Sequence, residues 1–244
     1  QFGIASLKIR WNLSGSYQQV IPRYFSTGND GKDEQEFLNC EFKDYTSLVK
    51  AIFLKGYEWP FDPEKISNWG SSLIDLLVFR ETNERKRRVW VDYRRNPSWD
   101  GDGLFKPEKL PGEVYDYLSR SDAISQTPVE RLASMNRPAL DLFRDKGIDL
   151  ANEPVEIAVC AQHNNGGLKG NIWWESDLKH LFPVGEVNGS HGVRRPGGSA
   201  LNAGQVGSYR AAQYISRKYN YPPPENKNFI SIVERSLNSE LELI

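Results

Sequence analysis

Half of the glycines in this 244-residue chain, 10 of 20, fall between residues 160 and 210. A segment so rich in glycine cannot be regular helix or strand throughout. Glycine weakens both, and it serves where the backbone turns tightly or approaches another group closely. The preceding 155 residues carry ordinary helix and strand signals, so the chain divides into two differently built parts. Its apolar content, 39%, is enough for a packed core. Lys and Arg number 31 against 32 Asp and Glu, and this balance removes the electrostatic case for non-specific nucleic-acid binding. No apolar run approaches the ~18–20 residues of a membrane-spanning helix. Cys40 and Cys160 are too few for a disulfide framework or a metal site, and no secretory signal follows Gln1. Two reduced thiols and a cytoplasmic location are the expectation.

The first part reads as follows. Residues 1–30 form two extended stretches joined by a turn at Asn12 to Ser16, the second running from Gln18 to Ser26. A helix covers Tyr45 to Lys55, with Leu48, Ile52 and Phe53 on one face and Gly56 just past its end. A second helix runs from Asn68 to Phe79, and a strand from Val89 to Tyr93. The basic run between Arg80 and Arg95 is interleaved with Glu81, Glu84 and Asp92, which marks a solvated face with local ion pairs. Thr127-Pro128-Val129-Glu130 has the form of a capping box with Pro at the first helical position. Pro138 to Lys146 reads as a further helix closed by Gly147.

In the glycine-rich part, Glu156 to Gln162, Ile172 to Glu175 and Leu181 to Val187 look like strands, and Ala200 to Lys218 like a long helix. Tyr221 to Pro224 reads as a linker, and Phe229 to Ile244 has helical apolar spacing with no stop signal. The chain also opens at Gln1 straight into a strand-like run, so it is expected to be an internal piece of a longer protein. The seven tryptophans share no spacing, and packing is their default role, with carbohydrate binding a weaker idea.

The chemistry-bearing unit runs from Leu181 to Asn202. A strand ends in the carboxylate of Glu186, a loop follows through Gly189 and Gly192, and a helix starts after Gly197-Gly198. A carboxylate at a strand end can accept hydrogen bonds from a ribose diol. Glycines admit a flat ligand to the backbone, and a helix N-terminus offers unpaired N–H groups to an anionic edge. A nucleotide-type cofactor suits this layout. A strand–turn–helix with glycines used only for packing fits the same spacing.

Four blocks in order carry a resemblance: Gly166-Gly167, Gly185-Glu186, His191-Gly192-x-x-Arg195-x-Gly197, and Ser199-Ala200-Leu201. From about Glu156 to Arg210 the chain resembles the C-terminal part of the FAD-binding domain of the fumarate reductase/succinate dehydrogenase flavoprotein family, which includes L-aspartate oxidase. Residues 1–155 resemble that family's capping domain more loosely, through Gln1-Phe2-Gly3 and Val89 to Tyr93. The resemblance implies that Glu186 binds the FAD ribose and that Ser199, Ala200 and Leu201 meet the pyrimidine edge of the flavin. It implies that His191 and Gly192 line the ring, beside Gly166, Gly167 and Gly185. Arg195 would hold a substrate carboxylate, as a guanidinium suits.

Departures from the family pattern are equally informative. Gln162 stands where dicarboxylate reductases place a histidine, with His163 one position late. Gly3 takes the place of another histidine. Arg23 matches an arginine of the proton path, yet Val20 stands where its glutamate partner would be. Fumarate or succinate as the substrate is therefore in doubt. His163 is a loop histidine within reach of flavin or substrate, or else an exposed one. No Gly-x-Gly-x-x-Gly fingerprint occurs, so the adenine and pyrophosphate half of the site is expected upstream, and the chain alone is expected to bind FAD weakly.

The expectation is an α+β fold: a mixed capping-type domain at 1–155, the C-terminal part of an α/β FAD-binding domain at 156–220, and a linker with the start of a helical segment at 221–244. The function expected is hydride transfer between flavin and an anionic, organic acid-like small molecule, with Arg195 and His163 as the catalytic candidates. No nucleic acid or membrane span is expected, and an electron-transfer partner is left open. The alternative is a non-catalytic relative that keeps the fold for binding.

Overall fold

The computed structural model describes residues 2–57, 72–99, 101–161, 166–191, 199–221 and 229–241. One four-stranded sheet joins β1 (Phe2–Ser6), β2 (Arg23–Thr27), β3 (Arg88–Asp92) and β4 (Val155–Ala161), the last of which runs across the expected 155/156 boundary. Their order is β1-β4-β3-β2, with every neighbouring pair antiparallel. The architecture is thus α+β, helices around a small antiparallel sheet.

Six helices accompany this sheet: α1 (Ser16–Gln19), α2 (Tyr45–Tyr57), α3 (Ser72–Phe79), α4 (Gly112–Arg120), α5 (Pro128–Met135) and α6 (Arg137–Asp145). Two more, α7 (Ser199–Lys218) and α8 (Phe229–Leu241), follow the glycine-rich stretch. One core joins the sheet to α2–α6 through Ile4, Ile52, Ile74, Val91, Leu132, Phe143 and Ile157. These side chains are removed from water, and that burial is the main favourable term for the fold. β2 is an edge strand whose five residues are all buried, and its free ladder groups are met by Gln35, which exchanges backbone hydrogen bonds with Ser26 at 2.8 and 2.9 Å.

Several sequence expectations hold closely. The Thr127 capping box is present in full at the start of α5. Gly147, at φ 74°, closes α6. The basic run is ion-paired, as expected, with Arg80 to Glu41, Arg85 to Glu81, Arg88 to Glu156 and Arg94 to Asp92, but Glu81 and Asp92 are buried rather than solvated. Neither Cys40 nor Cys160 is in a disulfide.

Others fail for local reasons. The expected strand from Gln18 begins instead as α1, because Gly15 and Ile21 take positive φ (59° and 54°) and turn the chain twice before β2. Gly56 lies inside α2 rather than beyond it; a Cβ there would sit 2.3 Å from the Gly15 carbonyl, so the glycine lets α2 approach α1. Asn68 to Ser71, the expected first residues of the second helix, lie outside the described residues. Ile172 to Glu175 is a turn, in which the Asn171 side chain accepts from Trp173 N at 2.8 Å and Trp174 takes φ 64°.

Leu181 to Val187 is not a strand. Pro183 has no N–H for a ladder, Gly185 takes φ 70°, and Gly185–Val187 forms one 3-10 turn. A buried strand was the expectation, yet Leu181, Val184 and Val187 are exposed. No helix among the described residues is long and apolar enough to cross a membrane.

Candidate functional site

The glycine-rich part is a strap of turns laid against a long helix. Beyond β4 the chain reaches Gly166-Gly167, and Leu168 then runs alongside Asn188 as a single parallel bridge. Leu168 N donates to Val187 O at 2.8 Å and Gly189 N donates to Leu168 O at 3.1 Å. The two segments meet so closely that a Cβ on Gly167 would lie 2.3 Å from Val187 O. No described residue lies within 4 Å of a Cβ built on Gly166 or Gly185.

Helix α7 packs on this strap. A Cβ on Gly204 would touch Gly185 Cα at 3.5 Å, and one on Gly207 would strike the Trp174 indole at 2.4 Å. Further along α7, Tyr214 stacks on Trp173, with ring centroids 5.6 Å apart. Just past the helix end, the Tyr219 hydroxyl donates to Glu175, which also accepts from His180 N. The Tyr219 hydrogen bond, then that of His180, holds the Glu175 carboxyl below its ordinary pKa, and the bond to Glu175 pushes Tyr219 up to about 12. These contacts fix the helix relative to the turns at both ends.

The structure therefore brings several expected residues onto one assembly. Glu186 sits on the Gly185–Val187 turn with an exposed side chain. Two residues after Gly189, His191 is buried. Ser199 and Ala200 open α7 half-buried, and Leu201 in the same turn is 78% exposed. The carboxylate turn and the N-terminal half of α7 are in contact through Gly185 and Gly204. Glu186 is not at a strand end, as the sequence suggested, but on a 3-10 turn. His163, Gly192 and Arg195 lie outside the described residues.

Arg23 is elsewhere. It heads β2, pairs in register with Asp92, and donates to Glu36 and Glu34. Together with Arg94 and Arg95 it lines a cavity of about 490 Å³ that no sequence motif marked. The lining residues come from positions 23–36, 94–104 and 126–127, and only the fold juxtaposes them.

The residues of the strap and α7 fit a flat, nucleotide-type group: Glu186 is exposed on its turn, no described residue would meet a Cβ on Gly166 or Gly185, and Gly185 touches Gly204 in the N-terminal half of a 20-residue helix. No family model matches the chain. Individual relatives do. The fumarate reductase (CoM/CoB) of Methanothermobacter marburgensis has a polypeptide 37% identical over 112 residues, 46% of this chain and 20% of the relative. An uncharacterized FAD-dependent oxidoreductase of Methanocaldococcus jannaschii is 39% identical over 84 residues, 34% of this chain and 16% of the relative. An L-aspartate oxidase of Bacillus subtilis is 24% identical over 226 residues, 84% of this chain and 36% of the relative. Over the stretches these matches cover, the chain is a homologue of the fumarate reductase/succinate dehydrogenase flavoproteins. It spans between about a sixth and a third of the length of these relatives.

Proposed function

We propose that this chain forms part of an FAD-dependent oxidoreductase that moves a hydride between flavin and an anionic, organic acid-like substrate. In this reading residues 1–155 are the capping-type region and 156–220 the C-terminal part of the FAD-binding domain. The observation that carries it is the contact between the Glu186 turn and the N-terminal half of α7, within the stretch that resembles the flavoproteins.

The flavin, when bound, supplies the redox chemistry, and the protein supplies orientation and electrostatics. Glu186 accepts hydrogen bonds from the ribose hydroxyls. The amides at Ser199, Ala200 and Leu201, at the positive end of α7, stabilise negative charge on the pyrimidine edge of the ring. Gly166, Gly167 and Gly185 leave room for the ring and its chain to approach the backbone, while His191 and Gly192 border it. Arg195 anchors the substrate carboxylate through paired N–H donors. His163 takes the place beside the substrate that the missing family histidine leaves, one position late in sequence. The substrate is not fumarate or succinate itself, because Gln162 and Gly3 remove two donors of the family's dicarboxylate clamp.

Steady-state kinetics of the intact protein test this reading. Arg195→Lys should raise KM for the anionic substrate and lower kcat, with the flavin spectrum unchanged. Unchanged kinetics would remove Arg195 from the site. A bound flavin that dithionite reduces but that no organic acid reoxidises would assign the non-catalytic alternative.

A further inference from the structure

The cavity beside Arg23 lies at the other end of the sheet from the glycine-rich strap. Arg23 pairs with Asp92 and Val91 pairs with Val155, the first residue of β4, whereas the strap follows Ala161, its last. Seven residues of strand separate these ends by about 20 Å. None of the cavity's lining residues lies in 156–220.

Three guanidinium groups line the cavity, from Arg23, Arg94 and Arg95. Arg23 is 8% exposed; its Nε and Nη2 donate to Glu36 and Glu34, but Nη1 is buried with no acceptor among the described residues. A buried donor on a cation left without an acceptor is costly. Arg95 is exposed and has no acceptor among the described residues. Among the described residues, the acidic groups lining the cavity are already committed: Glu36 to Arg23 and to Ser98 N, Asp102 to Lys106 at 2.6 Å.

A fourth cation stands behind the wall. Arg131 is fully buried and, among the described residues, donates only to neutral oxygens: the carbonyls of Val20, Ser125 and Gln126 and Asn96 Oδ1. Asn96 and Gln126 in turn line the cavity. Burial lowers the Arg131 pKa to about 9, which leaves it charged at neutral pH. With Arg95 open among the described residues, the cavity keeps spare N–H donors on its wall.

We propose that this cavity binds a small molecule through an oxyanion, carboxylate or phosphate, gripped by Arg23 and Arg95. Guanidinium forks match both anions in geometry, and a cavity of about 490 Å³ admits a metabolite-sized ligand.

Isothermal titration calorimetry of the 244-residue chain with inorganic phosphate, and separately with succinate, tests this. At least one probe should bind saturably with a Kd below about 10 mM. Arg95→Gln should weaken that binding about tenfold or more while unfolding at the same urea midpoint, since the Arg95 side chain holds nothing in place. Arg137→Gln, on α6 and outside the cavity, should bind as the wild type does. Tighter binding of phosphate assigns a phosphate-bearing ligand, and tighter binding of succinate a carboxylate. The proposal is overturned if neither probe saturates, if Arg95→Gln binds like the wild type, or if Arg137→Gln loses as much.

Discussion

Lys55 and Asp75 close a 2.6 Å ion pair between α2 and α3, with the two side chains 5% and 8% exposed. The pair fastens the two helices on either side of residues 58–71. Removing one member strands the other charge in the core. Lys55→Met should therefore cost about 3–5 kcal/mol in urea unfolding at neutral pH, and Lys55→Met with Asp75→Leu should recover most of it. A single-variant loss below about 1 kcal/mol would mean that water reaches the pair.

Burial raises the Asp75 pKa above 3.8, outweighing the opposing pull of Lys55. A carboxyl raised on folding holds its proton where the unfolded chain has already lost its own. Its contribution to stability is full below the unfolded value and is lost as pH rises through the folded one. Between pH 3.8 and that folded value, stability should thus fall more steeply with rising pH in the wild type than in Asp75→Asn. Parallel curves for the two proteins, from denaturant unfolding at each pH, would contradict this.

The capping box of α5 responds with the opposite sign. Thr127 N donates to Glu130 Oε2 at 2.9 Å, and this bond, with that from the Thr127 hydroxyl, lowers the Glu130 pKa below 4.5. Its stabilisation is present above that ordinary value and is lost as pH falls through the lowered one. Thr127→Ala should cost about 1 kcal/mol at pH 7, within a usual range of about 0.5–2, and less in acid. Chemical denaturation at the two pH values measures both numbers.

Arg131 ties α5 to the chain before β2 and to Asn96. Arg131→Met fills similar volume but leaves the Val20 carbonyl and Asn96 Oδ1 without their donors. Breaking that buried network should cost about 3–5 kcal/mol. Urea unfolding decides it, and a loss under about 1 kcal/mol would show that the surrounding carbonyls find other partners.

What the sequence disclosed divides along physical lines. Local signals were sound at three places. Thr127 and Glu130 cap each other three residues apart, Gly147 ends α6, and acidic residues neutralise most of the Arg80–Arg95 run. The apolar content of Leu181 to Val187 misled, because a strand needs a partner, and Pro183 and Gly185 deny it one. The Glu186 turn and α7 were legible as neighbours in sequence, but their contact through Gly185 and Gly204 was not. The arginine-lined cavity was invisible, since the antiparallel register of β2 on β3 assembles it from distant segments.

Gly167 tests the strap directly. A Cβ there would meet the Val187 carbonyl at 2.3 Å, and neither backbone can yield without breaking the Leu168 hydrogen bonds. Gly167→Ala should destabilise the strap by about 1–3 kcal/mol. Hydrogen exchange at the Leu168 and Gly189 amides should quicken, while exchange in β3 and β4 stays unchanged. Unaltered protection at Leu168 would show that the close approach is not required.

The central claim is that Glu186 and the start of α7 hold one flavin, and the most direct test is the FAD content of the intact protein, read from its visible absorbance. The wild type should carry stoichiometric FAD, and Glu186→Ala should bind it at least about tenfold more weakly, as loss of a charged hydrogen bond implies. A wild type without flavin, or a Glu186→Ala variant that retains it fully, would contradict the account.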